Sequence, residues 1–177
     1  MHSRVINKSI LYIQDIILLI LCIVADRISK YYAITKLKDH PAVSAFNGLL
    51  EFRYTENPGA AFSVLEGQTS FFILIFIVVL FTGIYYIIKS PGRIKYIHSH
   101  ICIAFILGGA IGNIADRILY SAVIDFIYFI SFDFPIFNVA DVFLTVGTVG
   151  LVLALVFYYK EDDLNFLRFK EKKIREI

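Results

Sequence analysis

Apolar residues run through this chain in long blocks that no charge interrupts. Between Glu66 and Lys89 lie 22 uncharged residues, between Lys95 and Asp116 lie 20, and between Asp141 and Lys160 lie 18. About 20 such residues cross a hydrocarbon core of roughly 30 Å as a helix. The blocks predict membrane spans over 69–89, 101–119 and 137–159. A fourth, weaker block from Ser9 to Ala25 contains Asp15 and follows Arg4 and Lys8. No small-x-small cleavage site ends it, so it predicts a retained first helix over 9–28 rather than a signal peptide.

Between the first two spans the period changes. From Leu50 to Thr55 apolar and polar residues alternate, with Asn47-Gly48 before them and Asn57-Pro58-Gly59 after. Alternation bounded by turn residues predicts a strand, here within a small hairpin or cradle on the membrane surface. The expected fold is an all-α integral membrane protein. Four transmembrane helices carry a small outward-facing β cradle between helices 1 and 2, in one membrane-embedded domain over 1–177. The charged stretch 160–177 reads as a solvated helix or a disordered tail.

Composition agrees with the blocks. The chain is 58% apolar and 18% charged, against roughly 45–50% and about 25% for a soluble domain. Mean hydropathy is +0.73. A net charge of +2 leaves no basic stripe, so nucleic acid is not an expected partner. The first residues, the 89–100 loop and the 160–177 tail hold 11 of the 17 Lys and Arg. By the positive-inside rule both termini and the middle loop are cytoplasmic, and the 26–70 connection faces outward. Cys22 and Cys102 lie in apolar runs and read as small hydrophobes. His98 and His100, two apart on a helix, point to different sides, so no metal site is expected.

The informative residues are polar groups that hydrocarbon should exclude. Asp26 and Lys30 stand at the exit of helix 1, Asn113, Asp116 and Arg117 at the exit of helix 3, Asp125 in the next connection, and Asn138 and Asp141 at the start of helix 4. All fall on the outer side. Ala104, Gly108 and Gly112 form a small-xxx-small stripe that lets helix 3 pack closely. Two readings of the polar set stand side by side. Asp26 with Lys30 and Asp116 with Arg117 form ion pairs, with Asp141 as a helix-start acid. Alternatively, two carboxylates share a proton and activate water, as in aspartic proteases. Acids at helix ends rather than mid-membrane disfavour a proton-relay transporter, and a non-catalytic scaffold would tolerate loss of Asp125 and Asp141.

Five motifs in order sharpen the choice. They are Asp26-Arg27-Ile28-Ser29-Lys30, Asn57-Pro58-Gly59-Ala60-Ala61-Phe62, the run from Gly108-Gly109 through Asn113 to Asp116-Arg117, Val123-Ile124-Asp125-Phe126, and Phe137-Asn138-Val139-Ala140-Asp141. Together they resemble the bacterial lipoprotein signal peptidases (signal peptidase II). The resemblance implies an aspartyl endopeptidase of the bacterial inner membrane. It would cleave prolipoproteins just before a diacylglyceryl-modified cysteine, without metal or cofactor, as a monomer among membrane lipids. It also implies a catalytic dyad of Asp125 and Asp141 near the outer face. Asp26, Lys30, Asn57, Gly109, Asn113, Arg117 and Asn138 shape the pocket or hold the dyad, and Asp116 ranks second as a structural partner of Arg117. Pro58 and Val142 depart from the family pattern, where a small residue such as threonine and a serine are common.

Overall fold

The computed structural model describes residues 4–59, 68–132 and 134–168. Four helices are long and apolar enough to cross a membrane. Helix α1 spans Lys8–Lys36, α2 Thr69–Lys89, α3 Ile97–Tyr120 and α4 Val139–Leu153. A single π-helical turn, Ala154–Tyr158, continues α4.

The first helix runs on to Lys36 instead of ending near residue 28. At ~1.5 Å per residue its 29 residues reach about 43 Å. The extension holds because its polar side faces inward. Asp26, Lys30 and Ala33 are buried, while Ile28, Tyr31 and Tyr32 are exposed. A hydrophobicity rule that ends a span at its first charges misses a helix whose charges are its core.

Helix α3 is the hub, packing against α1, α2 and α4. Its small residues serve two faces. Gly108 meets Cys22 of α1, and a Cβ on Gly112 would come 2.6 Å from Asp26 Oδ2. A Cβ on Gly109 would collide with the Ala140 carbonyl oxygen of α4. These close approaches seat α1 and α4 on either side of one polar seam.

The cradle is a three-stranded antiparallel sheet in the order β1-β2-β3, formed by Val43–Ala45, Leu50–Asn57 and Val123–Phe129. Strand β2 extends the predicted Leu50–Thr55 alternation, and β3 joins it from the connection after α3. Ser121, left-handed at φ 58°, turns the chain out of α3 and donates its N–H to Arg117 O at 3.0 Å. The β2–β3 register breaks between Phe52 and Thr55, which sets Thr55 opposite Asp125. Such bulges re-aim side chains. Phe137 then pairs with Ile127, its carbonyl accepting from the N–H groups of Phe126 and Ile127. That pairing delivers Asn138 and the start of α4 to the side of β3.

Part of the tail is folded. Residues Glu161–Leu167 form a 3₁₀ segment. Asp163 meets Lys95 at 2.5 Å, and the ring of Phe166 packs on Tyr86 and Tyr96. Burying an aromatic ring holds the segment in place, which an expectation of a solvated tail overlooked; residues 169–177 lie outside the described residues.

Candidate active site

Asp125 sits in β3 and is buried. Two amides hold it. Asn57 Nδ2, from the end of β2, donates to its Oδ2 at 3.0 Å, and Asn138 Nδ2 donates to its Oδ1 at 2.6 Å. Asp141 lies one turn into α4 and closes a reciprocal cap. Its N–H donates to Asn138 Oδ1 at 3.0 Å, and its Oδ2 accepts from Asn138 N at 3.1 Å. Its Oδ1 accepts from Asn113 Nδ2 at 2.7 Å.

The orientation of Asn113 is fixed from behind. Its Oδ1 accepts from Lys30 Nζ at 3.0 Å and from Asn138 Nδ2 at 3.2 Å. The amide nitrogen must therefore point at Asp141. Asn138 thus touches both aspartates, while Asn113 links Asp141 to Lys30.

Lys30 belongs to a second group. Its Nζ lies 3.0 Å from Asp26 Oδ1 and 2.6 Å from Asp116 Oδ2. Arg27 reaches the same two acids, at 2.6 Å from Asp26 and 2.7 Å from Asp116, and also donates to Gly112 O at 2.8 Å. Two anions and two cations cancel. Asp116 is thus partnered by Arg27 and Lys30, not by Arg117, correcting the pairing of sequence neighbours. Arg117 instead donates to Gly59 O at 2.9 Å and stacks 4.1 Å from the Phe72 ring centroid, tying the turn after β2 to the start of α2.

Both Asp125 and Asp141 line a cavity of about 670 Å³ between α2, α3 and α4. Phe72, Phe76, Ile106, Leu144 and Thr148 are among its walls, with Asn113 and Arg117 beside the acids. Burial, and next the nearby charge of Asp141, push the Asp125 carboxyl up to about 6, against the pull of its Asn57 and Asn138 hydrogen bonds and of Lys30. Two carboxyls opening on one apolar cavity, with amide donors holding their outer edges, can hold a proton near neutrality and exchange it with water. Among the described residues no group of three or more His, Cys, Asp and Glu could hold a metal.

A family model described as Signal peptidase (SPase) II matches residues 18–157. The chain belongs to the signal peptidase II family. A lipoprotein signal peptidase of Clostridium tetani is 36% identical over 164 residues, covering 91% of this chain and 99% of that protein. One from Clostridium novyi is 34% identical, covering 81% and 97%, and one from Streptococcus pyogenes serotype M2 is 37% identical, covering 82% and 92%. A bacterial membrane enzyme solved by the in meso method at 2.3 Å resolution superposes with a TM-score of 0.75 at 30% identity, over 98% of this chain and 99% of that one. A second, at 1.9 Å, gives 0.73 at 30% identity, over 90% and 99%. The protein is accordingly a multi-pass bacterial membrane peptidase.

The polar positions that the family motifs single out come together. Asn57, Asn113 and Asn138 contact the two aspartates, Asp26, Lys30 and Asp116 lie behind them, and Gly109 sets the approach of α3 to α4. Of the second motif, Ala60, Ala61 and Phe62 lie outside the described residues. Sequence reasoning gave no role to Arg27, whose signal was its place between Asp26 and Lys30. It also overlooked a chain near the other end of the bundle. There His100 Nδ1 lies 2.7 Å from Asp15 Oδ2, and its Nε2 lies 2.7 Å from Ser90 Oγ.

Proposed function

We infer that Asp125 and Asp141 are the catalytic dyad of a lipoprotein signal peptidase, cleaving prolipoproteins just before a diacylglyceryl-modified cysteine. The observation that carries this is the cavity. These two acids line it, each bound by amide donors, while the other buried acids nearby are neutralised by cations. The signal helix and the acyl chains suit the apolar walls between α2, α3 and α4, with membrane lipids alongside.

In the reaction one aspartate, as carboxylate, takes a proton from water while the other, protonated, hydrogen-bonds the scissile carbonyl. Water oxygen bonds to the carbonyl carbon, giving a tetrahedral gem-diol. A proton then passes to the cysteine nitrogen, the C–N bond breaks, and the signal peptide leaves with a carboxyl group. Asn113 and Asn138 keep the carboxyls aimed through these transfers. We read the whole chain, 1–177, as one membrane-embedded unit that works as a monomer. The excess of Lys and Arg near the termini and middle loop supports cytoplasmic termini and a site near the outer face.

The test is a gel-shift assay with a prolipoprotein presented with and without its diacylglyceryl group. Cleavage of the lipidated form alone is the expected result. Equal cleavage of both would remove lipid recognition from this reading, and cleavage of neither would remove the peptidase.

A further inference from the structure

Asp125 and Asn57 line a second cavity as well as the first. This one, about 340 Å³, opens on the cradle and is walled by Arg53, Thr55, Glu56, Pro58 and Tyr128. An extended peptide whose reacting carbonyl lies at the dyad must enter from one cavity and leave by the other. Its signal segment and acyl chains are apolar and fit the larger cavity. The residues that follow the lipidated cysteine are left with the smaller one, polar on its cradle side and walled by Phe134, Pro135 and Ile136 opposite.

The charges in that smaller cavity are unequal in what they still have to offer. The carboxylate of Glu56 is already engaged, accepting from Tyr54 Oη at 2.6 Å and from Lys38 Nζ at 3.1 Å. Those two partners hold it well below the usual carboxylate range. Arg53 stacks its guanidinium 3.9 Å from the Tyr128 ring centroid. It makes no hydrogen bond among the described residues, and its one ion pair, to Glu51 Oε1 at 3.4 Å, is to a residue outside the cavity wall. A guanidinium carries five N–H donors in a fork that matches a carboxylate. Stacking on Tyr128 fixes the plane of that fork without using its donors.

The geometry points to a subsite, built on Arg53 and Tyr128, that binds the first residues of the mature lipoprotein and favours acidic side chains there. This rests on the peptidase reading above and adds a specificity determinant to it.

Three diacylglyceryl-modified substrates that differ only in the two residues after the cysteine test it, with Asp-Asp, Ser-Ser or Lys-Lys in those places. They are cleaved in competition at concentrations below KM. One partly exposed ion pair changes kcat/KM by a factor of about two to five, so the wild type should cut the acidic substrate roughly three to ten times faster than the basic one. Arg53→Glu should invert that ratio. Arg53→Gln, which keeps a planar group over Tyr128, should bring it near one and carries the test if the Glu variant cuts nothing. The same ratio in wild type and variants, or no preference in the wild type, overturns the subsite while leaving the peptidase standing. Failure of the wild type to cut even the Ser-Ser substrate would instead overturn the peptidase reading on which the subsite rests.

Discussion

Two pairs of aspartates share the polar seam of this bundle, and their partners differ. Asp26 and Asp116 face Arg27 and Lys30, so the four charges sum to zero. Asp125 and Asp141 face Asn57, Asn113 and Asn138, which donate hydrogen bonds but no charge. A carboxylate clasped between two cations is spent in ion pairs. One held by neutral amides in an apolar cavity, as Asp125 is, binds a proton more readily than a free carboxylate does. On the proposed reading the same side chain is a brace in one place and a reagent in another, and the neighbouring residue decides which. Lys30 joins the two, touching Asp116 on one side and the Asn113 amide on the other.

Removing a carboxylate from the amide-held pair gives the largest effect. Asp125→Asn and Asp141→Asn should each lower prolipoprotein cleavage by about 10²–10⁴-fold or more, the range for a general acid or base, measured as turnover in detergent. Undiminished activity in either would break the comparison. The pH dependence of stability sharpens it. The Asp125 carboxyl is raised from 3.8 to about 6 in the fold. Between those two values the folded state binds the extra proton, so this group makes stability fall as pH rises through the window and adds no further change above it. A shift of that size corresponds to roughly 3 kcal/mol. Relative to wild type, Asp125→Asn should melt higher at pH 7.5 than at pH 4, gaining stability while losing activity. Parallel melting curves at both pH values would contradict this.

The cation-held pair should behave in the opposite way. Asp116→Asn leaves Lys30 and Arg27 with one carboxylate between them, and breaking a buried pair by removing one partner costs roughly 3–5 kcal/mol. The expected outcome is a large fall in melting temperature, with folded protein at low temperature still cleaving substrate. A stable Asp116→Asn protein without activity would move Asp116 into the dyad's chemistry.

How far these roles could be read from residues alone depended on where the partners lay. The spans were legible because hydrocarbon demands uninterrupted apolar length, and the second, 69–89, coincides with α2. Strand β3 was hidden. Val123-Ile124-Asp125-Phe126-Ile127 alternates poorly, and a short apolar run does not declare its period. Only pairing with β2, far away in sequence, makes it a strand. The polar residues were legible as a set, since charge at a helix end in a membrane protein is informative by itself. Their partners were not. Arg27 pairs with Asp116 across two helices, while the sequence offers Arg117 as the nearer candidate.

The smallest effect belongs to the polar chain near the opposite end. Asp15, His100 and Ser90 carry the residue types of a serine hydrolase, hydrogen-bonded in that order, yet all three are buried and none lines either cavity described above. Ser90 Oγ also donates to Ile87 O at 3.0 Å, so its one proton is spent and His100 must donate from Nε2. The chain fastens α1, the end of α2 and α3 together, as the cation-held aspartates join α1 to α3 at the other end of the bundle. Ser90→Ala removes the acceptor for His100 Nε2 and should cost about 1–3 kcal/mol, the penalty for one unsatisfied buried donor. Cleavage per folded molecule should be unchanged. A Ser90→Ala protein that melts normally but has lost turnover would mean that access to a substrate, rather than the identity of the partners, had been the wrong criterion for telling braces from reagents.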